Sequence, residues 1–159
     1  MNFLHTMLRI TNIKESLDFY CGGLGLKELR RYENEEGRFT LIFLASHEDI
    51  DRAAAFDNET SFPIGLPMIE LTFNWPSKDL GTEPLEGGRN FGHIAYQVDN
   101  IYDTCERLLK RGVMISRPPR DGRMAFVKSP DNISVELLQK GKSLPIKTPW
   151  SKMGNFGEW

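Results

Sequence analysis

The sequence predicts an α+β protein made of two copies of one plan, each a strand, a helix and three further strands. Three observations carry this. The stretch Phe91-Gly92-His93-Ile94-Ala95-Tyr96-Gln97-Val98, followed by Asp99-Asn100-Ile101, has an earlier counterpart in Phe3-Leu4-His5-Thr6-Met7-Leu8-Arg9-Ile10, followed by Thr11-Asn12-Ile13. The same offset separates His5 from His93 and Asn12 from Asn100, and each apolar-alternating run ends at an asparagine able to cap a helix. Each half also closes on a strand with a lone carboxylate, Ile69-Glu70-Leu71 in one and Val135-Glu136-Leu137 in the other.

The elements follow in order. Phe3 to Ile10 puts Phe3, His5, Met7 and Arg9 on one strand face, and Leu4, Thr6, Leu8 and Ile10 on the other. Asn12-Ile13-Lys14-Glu15 has the form of a capping box opening a helix through Tyr20, with a stripe of Ile13, Leu17, Tyr20 and Leu24. Lys27 to Tyr32 and Arg38 to Leu44 read as a strand pair joined by a polar turn. Ser46 to Pro67 reads as a long surface loop in which Ile50 to Phe56 could form a short helix. Met68 to Asn74 closes this half, with Met68, Glu70, Thr72 and Asn74 on one face, and Ser77 to Asn90 is the linker.

In the second half the strand is Phe91 to Val98, and the helix capped at Asn100 has a stripe of Ile101, Cys105, Leu108 and Leu109 that ends at Gly112. Strands are predicted at Val113 to Ser116, Met124 to Lys128 and Ile133 to Gln139. These 159 residues predict one domain over 1–140, with modules of about 1–76 and 90–140, and a tail over 141–159. The tail's tryptophans predict packing on something, a second subunit among the candidates.

Composition narrows the function. An apolar fraction of 40% and a charged fraction of 26% are those of a soluble globular protein. A net charge of −2 gives no basic footprint for nucleic acid. No apolar run reaches membrane-spanning length and no basic region precedes a hydrophobic stretch at the start, so a cytoplasmic protein is expected. Cys21 and Cys105 make no disulfide framework and read as small thiols near helix ends.

The chemistry rests on four residues. A lone mid-strand histidine such as His5 or His93 is more often a hydrogen-bonded core residue than a ligand, while His47 reads as solvated. Glu70 and Glu136, each between apolar neighbours, either face water on a half-exposed strand or need a partner. The pairing shifts the balance, because both halves place the same two residue types at the same two positions. Two imidazoles and two carboxylates suit Zn²⁺, Ni²⁺, Co²⁺, Fe²⁺ or Mn²⁺. Arg9 lies four residues after His5, and Asn74 four after Glu70, roughly 13 Å along the same faces at ~3.3 Å per residue. If the ligands share a metal, Arg9 and Asn74 stand at one end of its cavity and could fix an anionic or peptide-like substrate.

These residues carry a resemblance. His5-Thr6-Met7-Leu8-Arg9, Ser16-Leu17-Asp18-Phe19-Tyr20, Glu70-Leu71-Thr72-Phe73-Asn74-Trp75, Phe91-Gly92-His93-Ile94, and Ser129-Pro130-Asp131 before Val135-Glu136-Leu137 make the chain, from Leu4 to Gln139, resemble the glyoxalase I (lactoylglutathione lyase) family of the vicinal-oxygen-chelate superfamily. The resemblance implies paired βαβββ modules forming curved, mostly antiparallel sheets. It implies a homodimer with active sites at the subunit interface and one divalent metal per site held by His5, Glu70, His93 and Glu136. Histidine at position 5 resembles the Ni²⁺- or Co²⁺-preferring members, and the long 46–67 segment resembles the Zn²⁺-preferring ones. It further implies glutathione contacts at Arg9, Asn74, Arg89 and Arg117, with Glu136 as the base that isomerises the methylglyoxal–glutathione hemithioacetal. Against the family pattern, Asp131-Asn132 replaces Asp-Gly and the 121–126 stretch is short. Two rivals share the fold: a dioxygenase or epimerase, the former at odds with a fourth ligand, and a non-catalytic binding dimer, which would lack the metal set.

Overall fold

The computed structural model describes residues 1–52, 64–77, 85, 88 and 90–157, and the chain divides into two compact units, Met1–Leu85 and Glu86–Trp159. In the first, β1 (His5–Ile10), α1 (Ile13–Leu17), β2 (Leu26–Asn34), β3 (Phe39–Ser46), α2 (His47–Arg52) and β4 (Met68–Asn74) follow in order. Their strands form an open mixed sheet in the order β1-β4-β3-β2. β1 runs parallel to β4, which requires a crossover, whereas β2, β3 and β4 pair antiparallel. Alternation along β1 does what the sequence predicts: Leu8 and Ile10 are buried while Met7 and Arg9 are exposed.

The Asn12 side chain accepts the backbone N–H of Glu15 (3.1 Å), which starts α1 as the capping box predicts. The helix then widens into a π-helical turn over Asp18–Gly23. Its buried face is Ser16, Phe19, Tyr20 and Gly23, whereas Ile13, Leu17 and Leu24 are only half-buried. Of the predicted stripe only Tyr20 is fully buried; the rest of the buried face is Phe19 with the small residues Ser16 and Gly23. α2 begins at His47 rather than Ile50, because Ser46 caps it: its hydroxyl accepts the Asp49 N–H (3.1 Å) and donates to the Asp49 carboxylate (2.7 Å). Ile50 then packs with Leu29 on Ala45, Leu66 and Met68. Residues 53–63 of the predicted loop, and 78–84 and 86–87 of the predicted linker, lie outside the described residues.

The second unit contains β5 (Ile94–Val98), α3 (Ile101–Lys110), β6 (Ile115–Arg117), β7 (Met124–Lys128) and β8 (Ser134–Gln139), in the sheet order β5-β8-β7-β6. β5 is parallel to β8 and the other pairs are antiparallel, the same topology as the first unit. The Asn100 side chain accepts the N–H groups of Tyr102 and Asp103, and Gly112 leaves the helix at φ +77°. Buried Gln139 ties the helix start to the end of β8: its carbonyl accepts the Ile101 N–H (2.9 Å), and its amide donates to the carbonyls of Asp99 (2.8 Å) and Lys140 (3.0 Å).

Leu109 of the predicted stripe is exposed, and Tyr102 is buried in its stead. The tail explains the exchange. Trp150, only 3% exposed, stacks on Tyr102 with ring centroids 6.4 Å apart, and the Tyr102 hydroxyl donates to the Pro145 carbonyl (3.0 Å). Trp150 therefore packs on its own chain; Trp159 lies outside the described residues. Among the described residues no helix is long and apolar enough to cross a membrane.

Gln139→Met preserves volume but leaves the Ile101 N–H and two carbonyls without this partner. We expect a loss of about 1–3 kcal/mol in urea denaturation, the penalty for buried polar groups left unpaired. An unchanged midpoint would contradict the role given to this amide.

Candidate metal and substrate site

In each unit the parallel strand pair brings one histidine to one carboxylate with the same register. Met7 pairs with Glu70, and His5 stands two residues before Met7 on the same face. Ala95 pairs with Glu136, and His93 stands two residues before Ala95. The resulting contacts are alike: His5 Nε2 lies 3.1 Å from Glu70 Oε2, and His93 Nε2 lies 3.4 Å from Glu136 Oε2. The Glu70 and Glu136 side chains are only 13% and 16% exposed, so neither carboxylate is a solvated surface group. The sheets explain why. β4 and β8 are interior strands, and a carboxylate drawn that far from water needs a charged or hydrogen-bonding partner. His93 precedes β5 instead of lying within it, since the strand starts at Ile94 and not at the predicted Phe91.

Two phenylalanines complete the pairs. Phe43 is the antiparallel partner of Glu70 and meets the His5 ring edge-on, with centroids 5.5 Å apart and planes at 73°. Phe126 is the partner of Glu136 and meets His93 in the same way, at 5.4 Å and 83°. Sequence reasoning missed both. The available signal was a phenylalanine inside the strand that pairs with each glutamate, the one phenylalanine of β7 and the second of two in β3.

Glu70 is held further by Thr72, whose hydroxyl donates to Oε1 (3.0 Å), so Oε2 is the oxygen turned to His5. Ahead of Glu136 the turn is closed by Asn132 N–H to the Ser129 carbonyl (3.0 Å) and Ser129 N–H to the Ile133 carbonyl (2.9 Å). Asn132 itself adopts φ +62°, the left-handed region that asparagine tolerates better than most residues. Asn132 thus takes a left-handed turn position of the kind glycine favours, so the altered turn expected from Asp131-Asn132 still closes.

Arg9 and Asn74 are brought together. Arg9 Nε donates to Asn74 Oδ1 (3.2 Å), which leaves the forked Nη edge of the guanidinium uncommitted to that bond. Trp75 fixes the end of β4 that carries Asn74. Its backbone N–H donates to the Arg38 carbonyl (2.8 Å), its indole N–H donates to Thr40 Oγ1 (2.8 Å), and the Arg38 guanidinium lies 5.9 Å over its ring. Sequence reasoning quoted Trp75 in the motif Glu70–Trp75 but gave it no role in holding Asn74.

Arg117 lies in the other unit, half-buried, with Nη1 donating to the Met124 carbonyl (2.6 Å) and Nη2 to Asp121 Oδ2 (3.2 Å). Partial burial works against the charge on Asp121. The backbone N–H groups of Arg123 and Met124 and the Arg117 guanidinium outweigh it, so the carboxyl titrates below the usual aspartate range. Arg89 lies outside the described residues. His47 is exposed at the start of α2, as expected. Burial, and then Glu106, push the Cys105 thiol up to about 12, which removes it as a nucleophile.

Among the described residues no three His, Cys, Asp or Glu side chains gather at one point. Each unit offers a pair. Two donors about 2.1 Å from one ion and roughly 90–110° apart stand about 3.0–3.4 Å from each other, by the usual N and O ligand distances. The observed separations of 3.1 and 3.4 Å are of that size, and imidazole nitrogen with carboxylate oxygen is a donor set for borderline divalent cations. Each pair therefore has the spacing and donor types of two neighbouring ligands of a divalent metal.

Comparison with known proteins shows the family. A family model described as "Glyoxalase/Bleomycin resistance protein/Dioxygenase superfamily" matches residues 2–137. The chain is 39% identical over 145 residues to a lactoylglutathione lyase of Neisseria meningitidis serogroup A, covering 88% of this chain and 91% of that one. It is 39% identical over 143 residues to the lactoylglutathione lyase of Pseudomonas aeruginosa, covering 86% and 81%. Among solved structures, the trypanothione-dependent glyoxalase I of Leishmania major superposes with a TM-score of 0.67 at 30% identity, covering 87% of this chain and 86% of that one.

Thr72→Val removes the hydroxyl that steadies Glu70 while keeping the shape of the side chain. Loss of such an outer contact to a ligand costs about 10–100-fold in metal affinity. Titration of metal-free protein with Zn²⁺ or Ni²⁺ should show a weakening of that order; wild-type affinity would mean that Thr72 does not orient Glu70 for a cation.

Proposed function

The chain belongs to the glyoxalase/bleomycin resistance protein/dioxygenase superfamily, and we propose that it is a lactoylglutathione lyase, a glyoxalase I that isomerises the hemithioacetal of methylglyoxal and glutathione to S-lactoylglutathione. The observation that carries this reading is the duplicated His–Glu pair at ligand spacing. Relatives named lactoylglutathione lyase over most of the chain support it.

One divalent ion, Zn²⁺ or Ni²⁺/Co²⁺, would be held by His5 and Glu70 together with His93 and Glu136, and would supply Lewis acidity toward the two oxygens of the substrate. The complete set is proposed to form in a homodimer, with His5 and Glu70 of one chain joined by His93 and Glu136 of the partner subunit. Each unit contributes only half a ligand set, and apolar Phe3, Met7 and Phe91 stand exposed close to the histidines in sequence, as an interface would have them.

Glu136 acts as the base. Its carboxylate takes the proton from the carbon that bears sulfur and hydroxyl and returns it to the neighbouring carbonyl carbon, while the hydroxyl proton passes to the other oxygen. Bonds to hydrogen are exchanged and none is lost, so the step is an isomerisation. Arg9 and Asn74 hold the glutathione part of the substrate, with Arg89 and Arg117 as further contacts. Detoxification of methylglyoxal fits a cytoplasmic enzyme, where reduced glutathione is at hand.

Metal-free protein should be inactive with methylglyoxal and glutathione, and Zn²⁺, Ni²⁺ and Co²⁺ added in parallel should restore turnover to different extents. In the best metal form Glu136→Gln should lower kcat by about 10²–10⁴-fold, the usual contribution of a positioned base, with folding intact. Near wild-type turnover in that variant would remove Glu136 as the base, and inactivity with every metal would remove the proposed reaction.

A further inference from the structure

The strand–helix–three-strand plan ends at Gln139, yet the chain continues and is packed, with Trp150 buried against α3. The same segment reaches the loop that carries Arg117 at three points. Phe156 donates its backbone N–H to the Ser116 carbonyl (2.8 Å), next to Arg117. Because β6 is the edge strand of its sheet, this contact covers part of an otherwise unpaired edge. Arg120 Nη1 donates to the Met153 carbonyl (3.0 Å) and to Asn155 Oδ1 (2.9 Å). The Leu144 N–H donates to the Gly122 carbonyl (3.0 Å). Gly122 sits at φ +64°, and a β-carbon there would run into the Leu144 carbonyl, so turn and segment approach each other only because this residue is glycine.

These anchor points bracket Arg117 and its partner. The Arg117 guanidinium bonds across the turn, to the Met124 carbonyl at the start of β7 and to Asp121. Asp121 Oδ1 in turn accepts the backbone N–H groups of Arg123 (2.9 Å) and Met124 (3.1 Å). Where Arg117 points therefore depends on where this turn sits. The tail grips the turn from outside, at Ser116 before it and at Arg120 and Gly122 within it. Two bonds do not exhaust the guanidinium's donors, so a held Arg117 can still receive a carboxylate.

We propose that the C-terminal segment from Leu144 to Phe156 is a clip that aims Arg117 at the anionic end of the substrate, with Arg120 as the positioning residue. The inference rests on the reading of Arg117 as a glutathione contact. An unclipped turn would leave a long side chain to be ordered at the moment of binding, and that cost appears in KM rather than in the proton-transfer step.

The test uses full-length variants. Arg120→Ala and Asn155→Ala break the same contact from its two sides, the second by trimming an exposed side chain. Both are compared with Arg117→Ala and with the Arg117→Ala/Arg120→Ala double variant, by kcat, KM and thermal melting in the metal-loaded enzyme. The clip predicts that Arg120→Ala and Asn155→Ala raise KM by roughly two- to tenfold, the factor for ordering one long side chain, with kcat unchanged. It also predicts that Arg120→Lys recovers part of the loss and that the double variant is no worse than Arg117→Ala alone. An equal further rise in the double variant, or unchanged KM in both Arg120→Ala and Asn155→Ala while Arg117→Ala raises it, would overturn the clip and leave Arg117 as a contact. Unchanged KM in Arg117→Ala would overturn both.

Discussion

A carboxylate held out of water is the constraint on which the rest depends. Glu70 lies between Ile69 and Leu71, and Glu136 between Val135 and Leu137, each in an interior strand whose aliphatic neighbours are buried. Such a group is costly without a partner. The partner in each unit is an imidazole brought there by a parallel strand, which explains why the first and last strands of each unit must be neighbours despite their distance in sequence. The helix between the first and second strands starts the crossover, and its asparagine cap fixes where the first strand ends. The phenylalanine across from each glutamate then limits how the ring can turn and keeps water from that side.

The Arg9–Asn74 end of the first unit shows the same economy. The clamp of Arg38, Thr40 and Trp75 holds the last turn of the hairpin to the end of β4, so Asn74 and Arg9 meet on a rigid strand end and not on a loop. In the second unit the equivalent rigidity comes from Gln139 and from the tail. Residues that touch no substrate in this account thus decide where the touching residues stand.

Much of this was legible in the sequence because the chain repeats itself. Two histidines and two glutamates at matching places were visible without a structure, as were the β1 face, the Asn12 and Asn100 caps, and the strands Met68–Asn74 and Met124–Lys128. What was not legible depended on contacts distant in sequence. The stripe predicted for the first helix was right at Tyr20 only, since the π-helical turn rotates the buried face onto Ser16, Phe19 and Gly23. Leu109 looked like core and is exposed, because the tail covers Tyr102 instead. Phe43 and Phe126 were hidden among aliphatic residues, since their meaning appears only when the strand register is known.

The most direct measurement of the central claim, a site assembled from His5 and Glu70 of one chain with His93 and Glu136 of the partner subunit, is complementation by subunit exchange. His5→Ala and His93→Ala homodimers each carry two damaged sites. Mixed and allowed to exchange, as followed by mass spectrometry of differently tagged chains, they form heterodimers in which one site has both lesions and the other has none. Activity should return to about half the wild-type level per heterodimer, because one site of two is intact. Heterodimers that form and stay as inactive as their parents would contradict the shared site, since a site built within one chain keeps a damaged ligand in every copy.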